Sequence, residues 1–138
     1  MILLVEDDPD HEALAIRALR KANVANEIRV ARDGAEALEY MKGIVSGVNQ
    51  IPQLVLLDLK LPKVEGFEVL RAIRAADKTS LLPVVILTSS DEERDIVSSY
   101  RLGVNSYIRK PVNFSDFAEA TRQLGMYWLL LNQCPPPQ

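Results

Sequence analysis

The chain has little of the chemistry that builds disulfides or transition-metal sites, since its 138 residues include one cysteine and one histidine. The lone Cys134 cannot form an internal disulfide, and no Cys/His metal cluster is possible. No apolar run approaches the ~18 residues that cross a bilayer, and the N-terminus has no secretory pattern. We therefore expect a cytoplasmic protein with no membrane segment.

The chain also has no excess of positive charge. It contains 16 lysines and arginines and 19 acidic residues, which gives a net charge of −3. Neutralising the phosphates of a nucleic acid requires clustered lysine and arginine, so we expect no nucleic-acid partner. The hydrophobic fraction of 48% is ordinary for a globular protein. A chain of this length buries ~68–70% of its unfolded surface as one domain. The sequence predicts a single domain over residues 1–138.

Short apolar runs alternate with segments of helical periodicity. Three wholly apolar runs predict strands buried on both faces of a parallel sheet, and two less apolar segments predict further strands. The three are residues 2–5, 54–57 and 84–87, and the two are residues 27–31 and 106–108. Repeated β-α units of this kind predict an open, doubly wound α/β sheet with helices on both faces.

Capping and turn residues support this assignment. Asp8 precedes Pro9, so we interpret it as an N-cap rather than as a metal ligand. Asp33 and Glu36 have the spacing of a capping box. Residues 42–50, which include two glycines, predict the one long loop.

Polar residues follow four of the predicted strands, at the point where each strand ends. They are Glu6, Asp7 and Asp8 after the first strand, Asp58 after the third, Thr88, Ser89 and Ser90 after the fourth, and Lys110 after the fifth. Ligands of open α/β sheets bind at this edge, where the strand order reverses. Crowded carboxylates repel one another, and a hard divalent cation removes that conflict. We predict a Mg²⁺ (or Mn²⁺) site that accepts a phosphoryl group, with Thr88 and Lys110 contacting its oxygens.

Four segments carry a family resemblance. ILLVEDDP, LVLLDLKLPKVEG, VVILTSSDE and NSYIRKPV resemble, in order and spacing, the receiver domain of two-component response regulators. The resemblance implies a flavodoxin-like fold, with a five-stranded parallel sheet in the order 2-1-3-4-5 and five helices. It also implies that Asp58 accepts a phosphoryl group from the phosphohistidine of a sensor histidine kinase. The protein would then be no enzyme in the usual sense, catalysing only its own phosphorylation and dephosphorylation.

The same resemblance implies roles for the residues around Asp58. The metal ligands would be Glu6 through a water molecule, Asp7, Asp58 and the backbone carbonyl of Lys60. Lys110 would neutralise the phosphoryl group. Thr88 would sense the phosphoryl group and move together with Tyr107 as a switch.

A narrower resemblance is to the single-domain regulators that partner cyanobacterial and bacterial phytochromes. It rests on LLDLKLPKVEG, SYIRKPVNF, the enlarged loop and the aromatic pair Tyr127-Trp128. It implies that the kinase is a phytochrome photoreceptor. Since we expect no output domain, the signal would pass by contact with a downstream protein or by onward phosphotransfer.

Several residues also have a plain structural interpretation. Asp58 alone could cap a turn and Thr88 alone could begin a helix, so it is their occurrence at one rim that favours a site. Lys63 is interpreted as a solvated loop residue. His11 has no carboxylate or second histidine at metal spacing, so we expect it to be exposed and without a role in phosphoryl transfer.

Three other functions stay open at this point. An aspartate-nucleophile phosphatase of the haloacid dehalogenase type also places an aspartate after a strand, but its acid/base aspartate would fall at Lys60. A flavin-binding module would have a glycine- and hydroxyl-rich loop where this chain has EDDP. A receiver that only binds proteins, without phosphorylation, would not need the complete rim.

The last predicted helix, about residues 113–132, is apolar on every face over residues 126–131. Such a helix must be covered on every face, and the run is too short to cross a membrane. We therefore expect a second copy of the chain or a partner to cover it. The covered face would comprise Met126, Tyr127, Trp128, Leu129 and Leu130, and a proline-rich tail follows at residues 133–138.

This apolar helix predicts a homodimer. Light scattering at micromolar concentration should give twice the mass of the chain in at least one phosphorylation state. The mass of a single chain in both phosphorylation states would contradict the prediction.

Overall fold

The fold is an alternation of parallel strands and helices. The computed structural model describes residues 1–21, 25–89 and 93–110, together with Ser115, Glu119 and Arg122. Within these ranges the elements are β1 (Ile2–Val5), α1 (Pro9–Lys21), β2 (Ile28–Ala31), α2 (Gly34–Ser46), β3 (Leu54–Leu57), α3 (Gly66–Ala75), β4 (Val84–Thr88), α4 (Glu93–Arg101) and β5 (Ser106–Arg109). No helix of the described part is long and apolar enough to span a membrane.

The five strands form one parallel sheet in the order β2-β1-β3-β4-β5, which confirms the predicted fold class and strand order. Strand order reverses at β1, because the chain passes to β2 on one side and then to β3 on the other. Val5 at the end of β1 is in register with Leu57 at the end of β3. The residues that follow these two strands therefore lie side by side at the switch point.

Two apolar clusters, one on each face of the sheet, form the core. Leu3, Val5, Val55 and Leu57 face α2 and α3, whereas Ile2, Leu4, Leu54 and Leu56 face α1. Every residue of β1, β3 and β4 is buried, as their unbroken apolar runs predict. The alternation within each strand thus supplies both faces, which is the pattern of a covered parallel sheet.

The C-terminal predictions lie outside the described residues. This holds for the face Met126, Tyr127, Trp128, Leu129 and Leu130, for the tail at 133–138, and for most of the fifth helix predicted at about 113–132. Ser115, Glu119 and Arg122 have helical backbone, and the Arg122 guanidinium donates to both carboxylate oxygens of Glu119 at 2.6 and 3.0 Å.

The predicted loop 42–50 is wrong in its first half, because α2 continues through Ser46. Gly43 does not break the helix; a Cβ there would lie 2.0 Å from Nδ2 of Asn49. That amide donates to the carbonyl of Tyr40 at 3.1 Å, so the glycine makes room for the returning chain. The helix ends instead at Gly47, whose φ of 87° is left-handed.

Two glycines let the β3–α3 loop approach its neighbours closely. A Cβ on Gly66 would lie 2.5 Å from the backbone oxygen of Asp58, and one on Gly34 would lie 2.0 Å from the carbonyl oxygen of Val64. Lys63, which is exposed as predicted, pairs with Asp33 at 3.1 Å. Asp33 also caps α2 by accepting from the backbone N–H of Glu36 at 2.8 Å, as predicted. The loop after Asp58 is therefore tied to the start of α2.

Arg74 ties together the opposite edge of the sheet, where β4 and β5 begin. Its guanidinium, on the last turn of α3, donates to backbone carbonyls in the segments before those two strands. The acceptors are Ser80 at 3.1 Å, Leu82 at 2.8 Å, Leu102 at 3.2 Å and Gly103 at 2.6 Å. One planar side chain thus closes two loops at once.

We predict that Arg74→Lys lowers the free energy of unfolding by about 2 kcal/mol, because an ammonium cannot span these carbonyls. Urea denaturation measures the effect. Arg71→Lys on the same helix is the matched control, since exposed Arg71 pairs with exposed Glu68, and it should cost less than about 0.5 kcal/mol. Equal losses in the two variants would contradict the role given to Arg74.

Candidate functional site

Backbone hydrogen bonds continue past the strand ends and place the first residue beyond each. The Glu6 N–H donates to the carbonyl of Ala31 at 3.0 Å, and the Asp58 N–H donates to that of Val5 at 3.1 Å. The Lys110 N–H donates to the carbonyl of Thr88 at 2.6 Å. The side chains of Glu6, Asp58 and Lys110 are therefore held by the sheet itself.

Asp58 is buried and accepts hydrogen bonds on both carboxylate oxygens. Oδ1 accepts from the Thr88 hydroxyl at 2.7 Å and from the Lys60 backbone N–H at 3.0 Å. Oδ2 accepts from the Lys110 ammonium at 2.9 Å. Asp58 is 5% exposed and Thr88 is fully buried. The structure thus brings Thr88 and Lys110, which the sequence predicts at this rim, onto the two carboxylate oxygens of Asp58.

The Lys110 ammonium is shared with Glu6, to whose Oε1 it also donates. Burial raises the pKa of Glu6 to about 7, although the neighbouring ammonium opposes the shift. Burial alone would lower the pKa of Lys110, but the Asp58 and Glu6 carboxylates outweigh it and raise that pKa. Lys110 is therefore a permanent cation, whereas Glu6 can exchange a proton near neutral pH.

Glu6, Asp7 and Asp58 bring one carboxylate oxygen each to within 4.8 Å of one another. Glu6 and Asp58 are buried, and Asp7 is exposed at the rim. Three oxygen donors that repel one another, with one side open, fit a hard divalent cation. The fourth predicted ligand, the carbonyl of Lys60, stays a prediction.

The ammonium groups of Lys60 and Lys63 lie beside carboxylates other than that of Asp58. Lys60 Nζ lies 4.0 Å from Oδ2 of Asp95 on α4, and Lys63 pairs with Asp33. Tyr107, the predicted switch residue, is half-buried in β5 and packs against the cluster under α2 and α3. Its predicted movement with Thr88 stays a prediction.

His11 lies beside this site, and the expectation of an exposed side chain is wrong. Its Nδ1 lies 2.9 Å from Lys110 Nζ and 3.7 Å from Glu6 Oε1, and its side chain is 31% exposed. Asp8 explains the placement, because its Oδ1 accepts from the backbone N–H groups of Asp10 at 2.9 Å and His11 at 3.4 Å. Because α1 begins directly after the rim residues of β1, its first turn lies next to the rim, and the cap at Asp8 before Pro9 signals this start in the sequence.

Comparison with known proteins is consistent with this geometry. The sequence profile of the response regulator receiver domain matches residues 2–122. The chain is 40% identical to the probable methanogenesis regulatory protein FilR2 of Methanothrix harundinacea over 137 residues, 99% of this chain and 88% of the relative. It is 36% identical to the response regulator Rcp1 of Synechocystis over 130 residues, 94% of this chain and 88% of the relative.

Solved structures of phytochrome response regulators have the same fold. The phosphorylated cyanobacterial phytochrome response regulator RcpA matches with a TM-score of 0.91 and 38% identity, over 98% of this chain and 97% of that one. The Mn²⁺-bound form of Rcp1 matches with a TM-score of 0.91 and 34% identity, over 98% of each chain. The bacteriophytochrome response regulator AtBRR is 51% identical, with a TM-score of 0.70 over 96% of each chain.

We predict that Glu6 makes the stability of the metal-free protein depend on pH. Its raised pKa means that the folded state binds the proton more tightly than the unfolded chain does. This contribution is complete below a pH of 4.5 and is lost as the pH rises through about 7. Urea denaturation with a metal chelator, from acid to slightly alkaline pH, should show a steeper decline for the wild type than for Glu6→Gln. Parallel curves would contradict the prediction.

Proposed function

This chain belongs to the response regulator receiver family, and we propose that it accepts a phosphoryl group on Asp58 from a sensor histidine kinase. One observation carries the proposal. The buried Asp58 carboxylate lies at the switch point with Thr88 and Lys110 hydrogen-bonded to its two oxygens and with two further carboxylates beside it. A structural aspartate that caps a turn would need none of these neighbours.

The reaction is a phosphoryl transfer between two side chains. An oxygen of Asp58 forms a bond to phosphorus as the bond between phosphorus and the kinase imidazole breaks, and the electron pair of that bond returns to the imidazole nitrogen. Thr88 and Lys110 are donors beside the attacking carboxylate, where they can also bind the oxygens of the arriving group. The product is an acyl phosphate on Asp58, which water later hydrolyses.

A divalent cation, Mg²⁺ or Mn²⁺, would be held by Glu6, Asp7, Asp58 and the carbonyl of Lys60. When bound, it supplies positive charge that offsets the charge of the transferring group. Burial favours the neutral form of the Glu6 carboxyl group. The charge of a bound cation would favour its ionised form instead. Among the relatives, Rcp1 has a Mn²⁺-bound structure, which supports this proposal.

The signal is a population shift between two arrangements of the β4–α4–β5 side. Thr88 ends β4 and is in register with Arg109, and Tyr107 is in register with Ile86 on the same strand. A phosphoryl group that draws the Thr88 hydroxyl toward itself therefore acts on the strand that packs beside Tyr107. The new surface is recognised by a downstream protein or by a phosphotransfer partner.

The kinase that we propose is of the phytochrome type. RcpA, a phosphorylated phytochrome response regulator, and AtBRR, a bacteriophytochrome response regulator, support this by their identity to the chain and their coverage of it. We propose further that the protein acts in the cytoplasm and as a homodimer through Met126, Tyr127, Trp128, Leu129 and Leu130. The apolar character of those five residues supports the dimer.

The alternative functions fit the site less well. A phosphatase would need a carboxylate two residues after Asp58, and Lys60 there turns its ammonium toward Asp95. A receiver that only binds proteins would have no use for Lys110 and Thr88 on the two oxygens of Asp58.

We predict one phosphoryl adduct when the protein is incubated with a small phosphodonor and Mg²⁺, read by intact mass. Asp58→Asn should show none, since an amide is a poor nucleophile. Asp77→Asn, a change of the same kind at an exposed aspartate after α3, should keep the adduct. An adduct that survives in Asp58→Asn, or none in the wild type, would refute the proposed function.

A further inference from the structure

The Lys110 ammonium has three described acceptors around it, and one of them is not an acid. An ammonium carries three N–H donors and no lone pair. The acceptors are Oδ2 of Asp58 at 2.9 Å, Oε1 of Glu6, and Nδ1 of His11 at 2.9 Å. Since Lys110 can only donate, Nδ1 of His11 must accept, and the ring proton of the neutral imidazole lies on Nε2.

His11 differs from the two carboxylates in what phosphoryl transfer does to it. Asp58 becomes an acyl phosphate, and Glu6 belongs to the acidic group that fits a cation. Both carboxylate partners of Lys110 therefore change during the reaction. His11 neither accepts the phosphoryl group nor belongs to the acidic group that fits a cation. Its backbone is held in the first turn of α1 by the Asp8 cap.

We propose that His11 is a positioning residue for phosphoryl transfer, which anchors one N–H of Lys110 and leaves the two N–H groups now on Asp58 and Glu6 to bind the arriving phosphoryl group. This inference rests on the proposed function. His11 acts through Lys110, and it contacts neither Asp58 nor phosphorus in this role. An anchor that is neutral leaves the positive charge of Lys110 undiminished, which a third carboxylate would not.

Three substitutions of His11 test whether the hydrogen-bond acceptor at Nδ1 matters or only the size of the side chain. In His11→Asn the amide oxygen can occupy the place of Nδ1, whereas in His11→Gln it falls near the place of Nε2. His11→Leu keeps bulk and removes the acceptor. We expect the phosphorylation rate with a small acyl phosphate and Mg²⁺ to fall about five- to tenfold in His11→Leu and His11→Gln, the effect of one hydrogen bond. His11→Asn should recover most of the rate.

A second readout needs neither metal nor phosphodonor. The ¹⁵N spectrum of the metal-free protein, at about pH 8 where a free imidazole is neutral, should show the proton of His11 on Nε2. In Lys110→Met the ¹⁵N resonance of Nδ1 should shift, since that nitrogen no longer accepts a hydrogen bond. A proton on Nδ1 in the wild type would overturn the proposal.

The kinetic outcomes distinguish the role of His11 from the phosphorylation of Asp58. A wild-type rate in His11→Leu, or a His11→Asn variant as slow as His11→Leu, overturns the role of His11 and leaves the phosphorylation of Asp58 standing. A wild type that forms no Asp58-dependent adduct refutes the proposed function, and the role of His11 fails with it.

Discussion

The buried Lys110 ammonium is the group on which the rest of the site depends, because it joins the ends of three strands. It follows β5 and donates to Asp58 after β3 and to Glu6 after β1. Two carboxylates buried side by side repel each other, and a buried charge without its partner is strongly destabilising. The ammonium therefore permits the acidic cluster to exist in the folded chain. It does not balance three carboxylates, and the remaining negative charge is what makes the site receptive to a cation.

Arg74 and the Asp58 site lie at opposite edges of the sheet. Arg74 holds the edge where β4 and β5 begin, through carbonyls of the segments that precede them. Asp58, Glu6 and Lys110 lie at the other edge, where the strands end. The β3–α3 loop connects this second edge to the helices, since Gly66 approaches the backbone of Asp58 and Lys63 pairs with Asp33. The loop after Asp58 is thus tied to the helices on one face of the sheet, and Arg74 fixes the segments at the opposite edge.

Most of the fold could be predicted from the sequence, since its signals are local. The unbroken apolar runs at β1, β3 and β4 require burial on both faces, and Asp33 caps α2 where its spacing from Glu36 predicts. The loop predicted at 42–50 is wrong in its first half because Gly43 does not break α2. Its partner, Asn49, gives the glycine a packing role that only the returning chain reveals. The order of the strands came from the family resemblance and not from any local pattern.

The sequence by itself determined which residues end the strands, and hence that Asp58, Glu6, Thr88 and Lys110 share one rim. It could do so because the carboxyl ends of parallel strands meet at one edge of the sheet. Only the tertiary structure decided how these groups are paired. The sharing of one ammonium by Asp58 and Glu6, the raised pKa of Glu6, and the place of His11 beside Lys110 depend on distances of a few ångströms between elements far apart in the chain. Such distances follow from packing, which no single segment encodes.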